Sequence, residues 1–241
     1  MYITPEENYL TIEDREIRKL VTDYLATFPT EQRLKRINEV LSWRTRYVTV
    51  AVEDLYQTQN ISAVLRTCEC YGVQDVHIVE NENEFQIHHA ISMGAYKWLN
   101  RYHYNDETGG IKGCIQSLKS KGYTVVATLP GEDSCFLQDL PIDTPTAFLF
   151  GTELKGLSEE AIQLADKKMK IPMYGFTESF NISNSAAIIL SSFIERLRLS
   201  EVDFHLTDVE KEELLLEWLQ KSIKCPQLII EEFLKGKGLH I

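Results

Sequence analysis

From Ala147 to Ser192 the chain reads AFLFGTELKGLSEEAIQLADKKMKIPMYGFTESFNISNSAAIILSS. An apolar strand ends at Phe150-Gly151 and runs into a loop holding Glu153 and Gly156. A second strand breaks at Ile171-Pro172-Met173, and a polar turn then delivers Asn181 to the start of an apolar helix. Two strand ends that each open into a glycine-containing loop form the wall of a ligand crevice in an open α/β sheet. Short polar side chains at a helix start add hydrogen-bonding groups to that wall. Chemistry alone thus gives a pair of binding loops and no reaction.

Outward from this stretch, strands and helices alternate. Tyr47–Val52, Val73–Val79, 98–104 and Tyr123–Thr128 read as strands, as do 146–150 and 167–171. Helices are expected over Asn60–Cys68 (Asn60 as cap), 111–121, 158–165 and 182–199, and 81–95 reads as a long loop. The pattern is that of an α/β domain with a mostly parallel sheet. Helices over 6–27 and 30–45 precede it, the second capped by Thr30, and helices near 207–222 and 226–235 follow. The division read from the chain is 1–45, 46–200 and 201–241.

The 241 residues suffice for one full core, and 44% hydrophobic with 25% charged residues is ordinary for a globular protein. No apolar run approaches the roughly 20 residues needed to span a bilayer. The first residues lack the basic start and apolar stretch of a secretory signal, so a cytoplasmic location is expected. Five cysteines, an odd number without a C-x-x-C pair, point to reduced thiols. The histidine spacing offers no metal site. A net charge of −11 argues against nucleic acid, yet a phosphate backbone responds to local potential. Residues 33–46 carry Arg33, Lys35, Arg36, Arg44 and Arg46 against Glu39 alone, which fits a basic contact surface or a solvated helix face.

Three motifs stand out in order. Asn60-Ile61-Ser62-Ala63-Val64-Leu65-Arg66 places Arg66 on the helix face away from the apolar stripe, where a guanidinium can grip a phosphate or carboxylate. It also fits a cap and a surface arginine. Gly151-Thr152-Glu153-Leu154-Lys155-Gly156-Leu157-Ser158 is explained at Ser158 by helix capping, which leaves Gly151, Glu153 and Gly156 without a purpose. Ile171-Pro172-Met173-Tyr174-Gly175, then Glu178-Ser179-Phe180-Asn181-Ile182-Ser183, completes the set. Together they are far more specific than any one.

That ordered set resembles the SPOUT superfamily of RNA methyltransferases, and within it the TrmH branch of ribose 2′-O-methyltransferases. The resemblance runs from about residue 30 to 235 and looks most like enzymes acting on the D-loop guanosine 18 of tRNA. It implies a SPOUT-type α/β/α domain with a deep trefoil knot over about 146–200, flanking helices at both ends, and a homodimer formed through the knotted domain. The implied cofactor is S-adenosylmethionine, contacted around Thr128, Gly151, Ile171 and Phe180. The implied catalytic set is Arg66, Asn60, Glu153, Ser179 and Asn181, with Arg66 and Ser179 facing the ribose and Asn60 holding the loop. Arg36, with Arg33 and Lys35 beside it, is the implied RNA contact. The chain departs from the branch at Gln57-Thr58-Gln59, at Phe180 where leucine is usual, and in the register of Arg196 and Arg198. Other expectations are a ribosomal RNA or another tRNA position as substrate, and, in a different class, a knotted RNA-binding module without activity. Neutralising a free guanidinium at pH 7 takes roughly 7 kcal/mol. Arg66 is therefore expected to stabilise charge.

Overall fold

The computed structural model describes residues 2–3, 9–55, 57–80, 88–131 and 133–239. In chain order the elements begin with β1 (Tyr2–Ile3), α1 (Arg15–Leu25), α2 (Glu31–Leu41), β2 (Val48–Glu53), α3 (Thr58–Cys70) and β3 (Asp75–Val79). Next come α4 (His89–Ser92), β4 (Asn100–Tyr104), α5 (Gly110–Ser120), β5 (Thr124–Thr128), β6 (Cys135–Phe136) and β7 (Thr146–Phe150). The chain ends with α6 (Glu159–Leu164), β8 (Lys167–Lys170), α7 (Ile182–Arg198), α8 (Asp208–Ser222) and α9 (Pro226–Gly236).

Two compact units emerge, Met1–Thr4 with Thr45–Phe204, and Pro5–Arg44 with His205–Ile241. Most of the first and third stretches read from the sequence therefore fall in one unit, whose boundaries lie at 4/5, 44/45 and 204/205.

The larger unit is built on a sheet of order β1-β4-β3-β2-β7-β5-β8-β6. All its pairs are parallel except β1 with β4. Side chains of successive strand residues point to opposite faces, so each central strand serves two cores. Val48, Val50 and Val52 of β2 face one way with Phe148 and Phe150 of β7, against Ile61, Val64 and Leu65 of α3 and Ile189 and Phe193 of α7. Ala51, Ala147 and Leu149 face the other way, against Ile111, Cys114 and Leu118 of α5 and Ala161 of α6. Coverage on both sides is why every residue of β2 and β7 is buried and why these strands read as apolar and β-branched, Glu53 apart.

Helix starts follow their caps. Asp14 accepts from the amides of Glu16 and Ile17 at 2.9 and 3.0 Å, which starts α1 at Arg15 rather than near residue 6. Residues 6–8 of the expected helix lie outside the described residues. Thr30 caps α2 as expected, accepting from Arg33 N at 3.2 Å. Asn60 corrects its reading as a cap: α3 begins at Thr58 after Gln57, and Asn60 lies in its first turn with its amide turned elsewhere. Of the expected loop over 81–95, residues 81–87 lie outside the described set, and the rest holds α4 and a 3-10 turn at Ala95–Trp98.

In the helical unit α1 meets the C-terminal helices. Tyr24 stacks on Phe233 at 4.0 Å, and the Gln220 amide bonds both backbone groups of Leu10 at 2.9 and 3.0 Å. Trp218 is buried, with the Arg44 guanidinium 5.2 Å from its ring centroid. Among the described residues no helix is long and apolar enough to cross a membrane.

Candidate functional site

The carboxyl ends of β5, β7 and β8 lie side by side, and their exits form one wall of a cavity of about 390 Å³. That size lies within the range of small-molecule sites, about 300–1,000 Å³. Thr128 stands at the end of β5, its hydroxyl donating to Leu149 O at 2.6 Å. Gly151 follows β7, Ile171 follows β8, and all three line the cavity with Phe180 from the turn before α7. The four positions implied for the cofactor thus share one space.

The loop after β7 folds back on itself. Thr152 and Gly156 exchange backbone hydrogen bonds at 3.0 and 2.9 Å, and Gly156 takes φ +70°, the left-handed region that glycine accepts. A β-carbon on Gly151 would stand 2.1 Å from the backbone of Gly156. Only a residue without a side chain fits there, which answers what capping by Ser158 left unexplained.

At the apex of this loop Glu153 joins the other two motifs. One of its oxygens accepts from the Asn60 amide at 2.9 Å and from the Asn181 amide, and Asn181 also donates to Asn60 Oδ1 at 3.1 Å. Asn181 in turn caps α7, its Oδ1 accepting from Ser183 N at 2.9 Å. Three residues from three separate motifs therefore form one closed network. Ser179 is exposed and lines the cavity beside Glu178.

Arg66 is not brought into this cavity. It lies six residues beyond Asn60, hence about 9 Å along the helix and about 120° around it. It is exposed, and its Nη1 donates to Ile91 O at 3.4 Å. Arg33, Lys35 and Arg36 are exposed on α2 in the helical unit, with Arg36 3.5 Å from Glu39. The basic cluster is smaller than the sequence suggests. Arg44 is buried against Trp218, and Arg46 pairs with Asp75 at 3.2 Å.

Residues that sequence reasoning passed over complete the walls: Leu129, Pro130, Leu157, Met169, Met173 and Glu178. Glu178 lay within the third motif, so its charge could have been weighed. The apolar positions carried no signal separating them from core. Lys170 also lines the cavity, its ammonium donating to Gly131 O at 2.8 Å.

Strongly shifted titratable groups often mark function. In this chain they lie elsewhere. Burial drives His77 down to about 3 and Tyr104 up to about 12, and it raises the Cys114 thiol. Cys114 and Tyr104 belong to the core beneath α5, His77 Nδ1 lies 3.0 Å from the Tyr104 hydroxyl, and none of the three lines the cavity. This cluster is a satisfied interior. Among the described residues no group of three or more metal-ligating side chains gathers.

Several known proteins are similar to this chain. The SpoU rRNA Methylase family model matches residues 47–191. A Borreliella burgdorferi protein named tRNA (guanosine(18)-2′-O)-methyltransferase is 42% identical over 205 residues, covering 85% of this chain and 92% of the relative. A Thermus thermophilus protein of the same name is 38% identical over 194 residues, covering 80% and 98%. The crystal structure of an A. aeolicus TrmH/SpoU tRNA modifying enzyme matches with a TM-score of 0.72 at 29% identity, covering 80% of this chain and 98% of that one. With the matched region spanning every strand end and loop of the cavity, the chain belongs to the SpoU rRNA Methylase family.

Proposed function

We propose that this protein methylates the ribose 2′-oxygen of guanosine 18 in tRNA, using S-adenosylmethionine. The observation that carries the reading is the Asn60–Glu153–Asn181 network, which ties all three motifs together at a cavity made of strand ends. The family name points to ribosomal RNA. Relatives 42% and 38% identical over 85% and 80% of this chain are named for tRNA, and that favours tRNA here.

The cavity suits the cofactor on its own chemistry. Leu129, Leu157 and Ile171 offer apolar walls for a flat ring, and strand-end backbone offers hydrogen-bonding edges. Gly151 lets the backbone approach closely, and the carboxylates of Glu153 and Glu178 favour a cation. When bound, S-adenosylmethionine supplies a methyl already activated on a sulfonium. Thr128, Gly151, Ile171 and Phe180 would hold it.

The remaining work falls to polar side chains. A ribose hydroxyl is a poor nucleophile at neutral pH, so the site must orient it and stabilise negative charge growing on its oxygen. Ser179, on the cavity wall, orients the ribose. Asn60 and Asn181 hold Glu153 and so fix the loop. Arg66 stabilises charge on the oxygen, a role that needs the RNA or a second copy to bring its guanidinium to the ribose. Leu154, Tyr174 and Phe176 are almost fully exposed on the two motif loops, and this supports a homodimer that covers them. The knot over 146–200 belongs to the same proposal, and α2 supplies the RNA contact through Arg33, Lys35 and Arg36.

The test is transfer of labelled methyl groups to a mixture of tRNA and ribosomal RNA, followed by nucleotide mapping. The expected product is 2′-O-methylguanosine at tRNA position 18. Label on a base, or in ribosomal RNA alone, overturns the reading.

A further inference from the structure

Glu53, the last residue of β2, is a carboxylate only 4% exposed and is not part of the cavity wall. Its two oxygens accept from Ser158, one from the backbone amide at 2.9 Å and one from the hydroxyl at 2.6 Å. Ser158 ends the loop that begins at Gly151, and its hydroxyl also caps α6 by accepting from Ala161 N at 3.1 Å. Directly after Glu53 the backbone turns through Asp54 at φ +51°, pinned by Asp54 N to Val79 O at 2.9 Å, and heads toward the first motif.

The loop is therefore fixed at three points. Thr152 and Gly156 close it, Asn60 and Asn181 hold its apex through Glu153, and Glu53 holds its exit. The first two ties involve cavity residues. The third comes from inside the sheet, where a buried carboxylate is costly unless its oxygens are satisfied. This cost gives the tie its stiffness, since moving Ser158 strands the charge.

We propose that Glu53 is a positioning residue: through Ser158 it sets the exit of the 151–157 loop, and thereby the affinity of the cavity for S-adenosylmethionine, without touching the cofactor. The inference rests on the cofactor reading above. Glu53→Gln keeps the side-chain volume but leaves one oxygen to accept where two did. A merely structural carboxylate would lower stability and activity together. A positioning one separates cofactor affinity from turnover.

The test uses the full chain, with S-adenosylhomocysteine titrated calorimetrically and methyl transfer followed on tRNA. For Glu53→Gln, the Kd for S-adenosylhomocysteine and the KM for S-adenosylmethionine are expected to rise about tenfold, the loss of one charge-assisted hydrogen bond. The kcat at saturating cofactor stays within about twofold, and tRNA affinity is unchanged. Ser158→Ala weakens cofactor binding in the same way, Ser158→Thr restores it, and the two losses are non-additive in the double variant. Wild-type affinity in Glu53→Gln overturns the proposal, as does a parallel loss of cofactor affinity, turnover and tRNA binding. If Glu53→Gln does not fold, wild-type affinity in Ser158→Ala overturns it. Failure of the wild-type protein to bind S-adenosylhomocysteine overturns the cofactor reading instead.

Discussion

The loops around the cavity and the exposed face of α2 both carry polar residues in an implied functional role, and they are built in opposite ways. At the cavity the groups are bonded to one another: Glu153 to Asn60 and Asn181, Thr152 to Gly156, Ser158 to Glu53. On α2 Arg33, Lys35 and Arg36 lie in solvent, and Arg36 stands near Glu39 on its own helix. A bonded constellation has one working geometry, so a single change propagates through it. Exposed charges act nearly independently and through a screened field. The difference predicts large, indivisible effects in the first region and small, additive ones in the second.

Gly151→Ala is the strongest way to break that comparison. The added β-carbon would meet Gly156 backbone at 2.1 Å, where no flexible side chain can move aside. Overpacking costs about 1–3 kcal/mol, and here the loop itself must move. Binding of S-adenosylhomocysteine, measured by calorimetry, is expected to fall by more than about a hundredfold. A change below tenfold would mean that the loop yields easily, and the contrast with α2 would disappear.

Arg44→Ala tests the other side, because it divides the basic cluster into structural and solvent-facing members. Arg44 is buried beside Trp218, so its loss removes a desolvated cation–π contact and leaves a void. Stability is expected to drop by about 2–4 kcal/mol in chemical denaturation. The tRNA affinity of the remaining folded protein should not change. A specific loss of tRNA affinity with unchanged stability would return Arg44 to the RNA surface.

Which parts could be read in advance follows from the same physics. The parallel strands were legible because both faces are covered, and Val48–Val52 therefore reads as a β-branched run and Ala147–Phe150 as an apolar one. Helices with a side-chain cap, α2 at Thr30 and α7 at Asn181, start where the sequence places them. Asn60 deceived because an asparagine ahead of an apolar stripe is a sound cap signal. Its amide is claimed instead by Glu153, 93 residues away, and no local pattern can register that. β6 is two residues long and β1 likewise, too short for any periodicity. The cavity was legible at its glycines and polar loop residues, which have no purpose in a core. Apart from Ile171 and Phe180, which the resemblance implied, its apolar walls were not, since Leu157 or Met169 serves a pocket and a core with the same side chain. Glu53 was invisible for a related reason: an acid at a strand end, followed at once by Asp54, reads as a solvated turn until its burial is known.

Arg36→Ala should produce the smallest effect, and its smallness is the point. The side chain is exposed, so its removal costs the fold little. A single phosphate contact changes the salt dependence of binding by about one counterion and the affinity a few-fold. The tRNA Kd is expected to rise about three- to fivefold near physiological salt, with the slope of log affinity against log salt shallower by about one. Cofactor affinity should be untouched. Because Arg33, Lys35 and Arg36 are like charges exposed on one helix, their losses should add in free energy as those of the cavity loop cannot. A filter-binding series over salt concentration measures both quantities at once. Equal affinity and slope for Arg36→Ala and the wild type would remove α2 from the RNA surface. A collapse of binding from this one substitution would instead mean that α2, like the cavity, works as a single locked geometry.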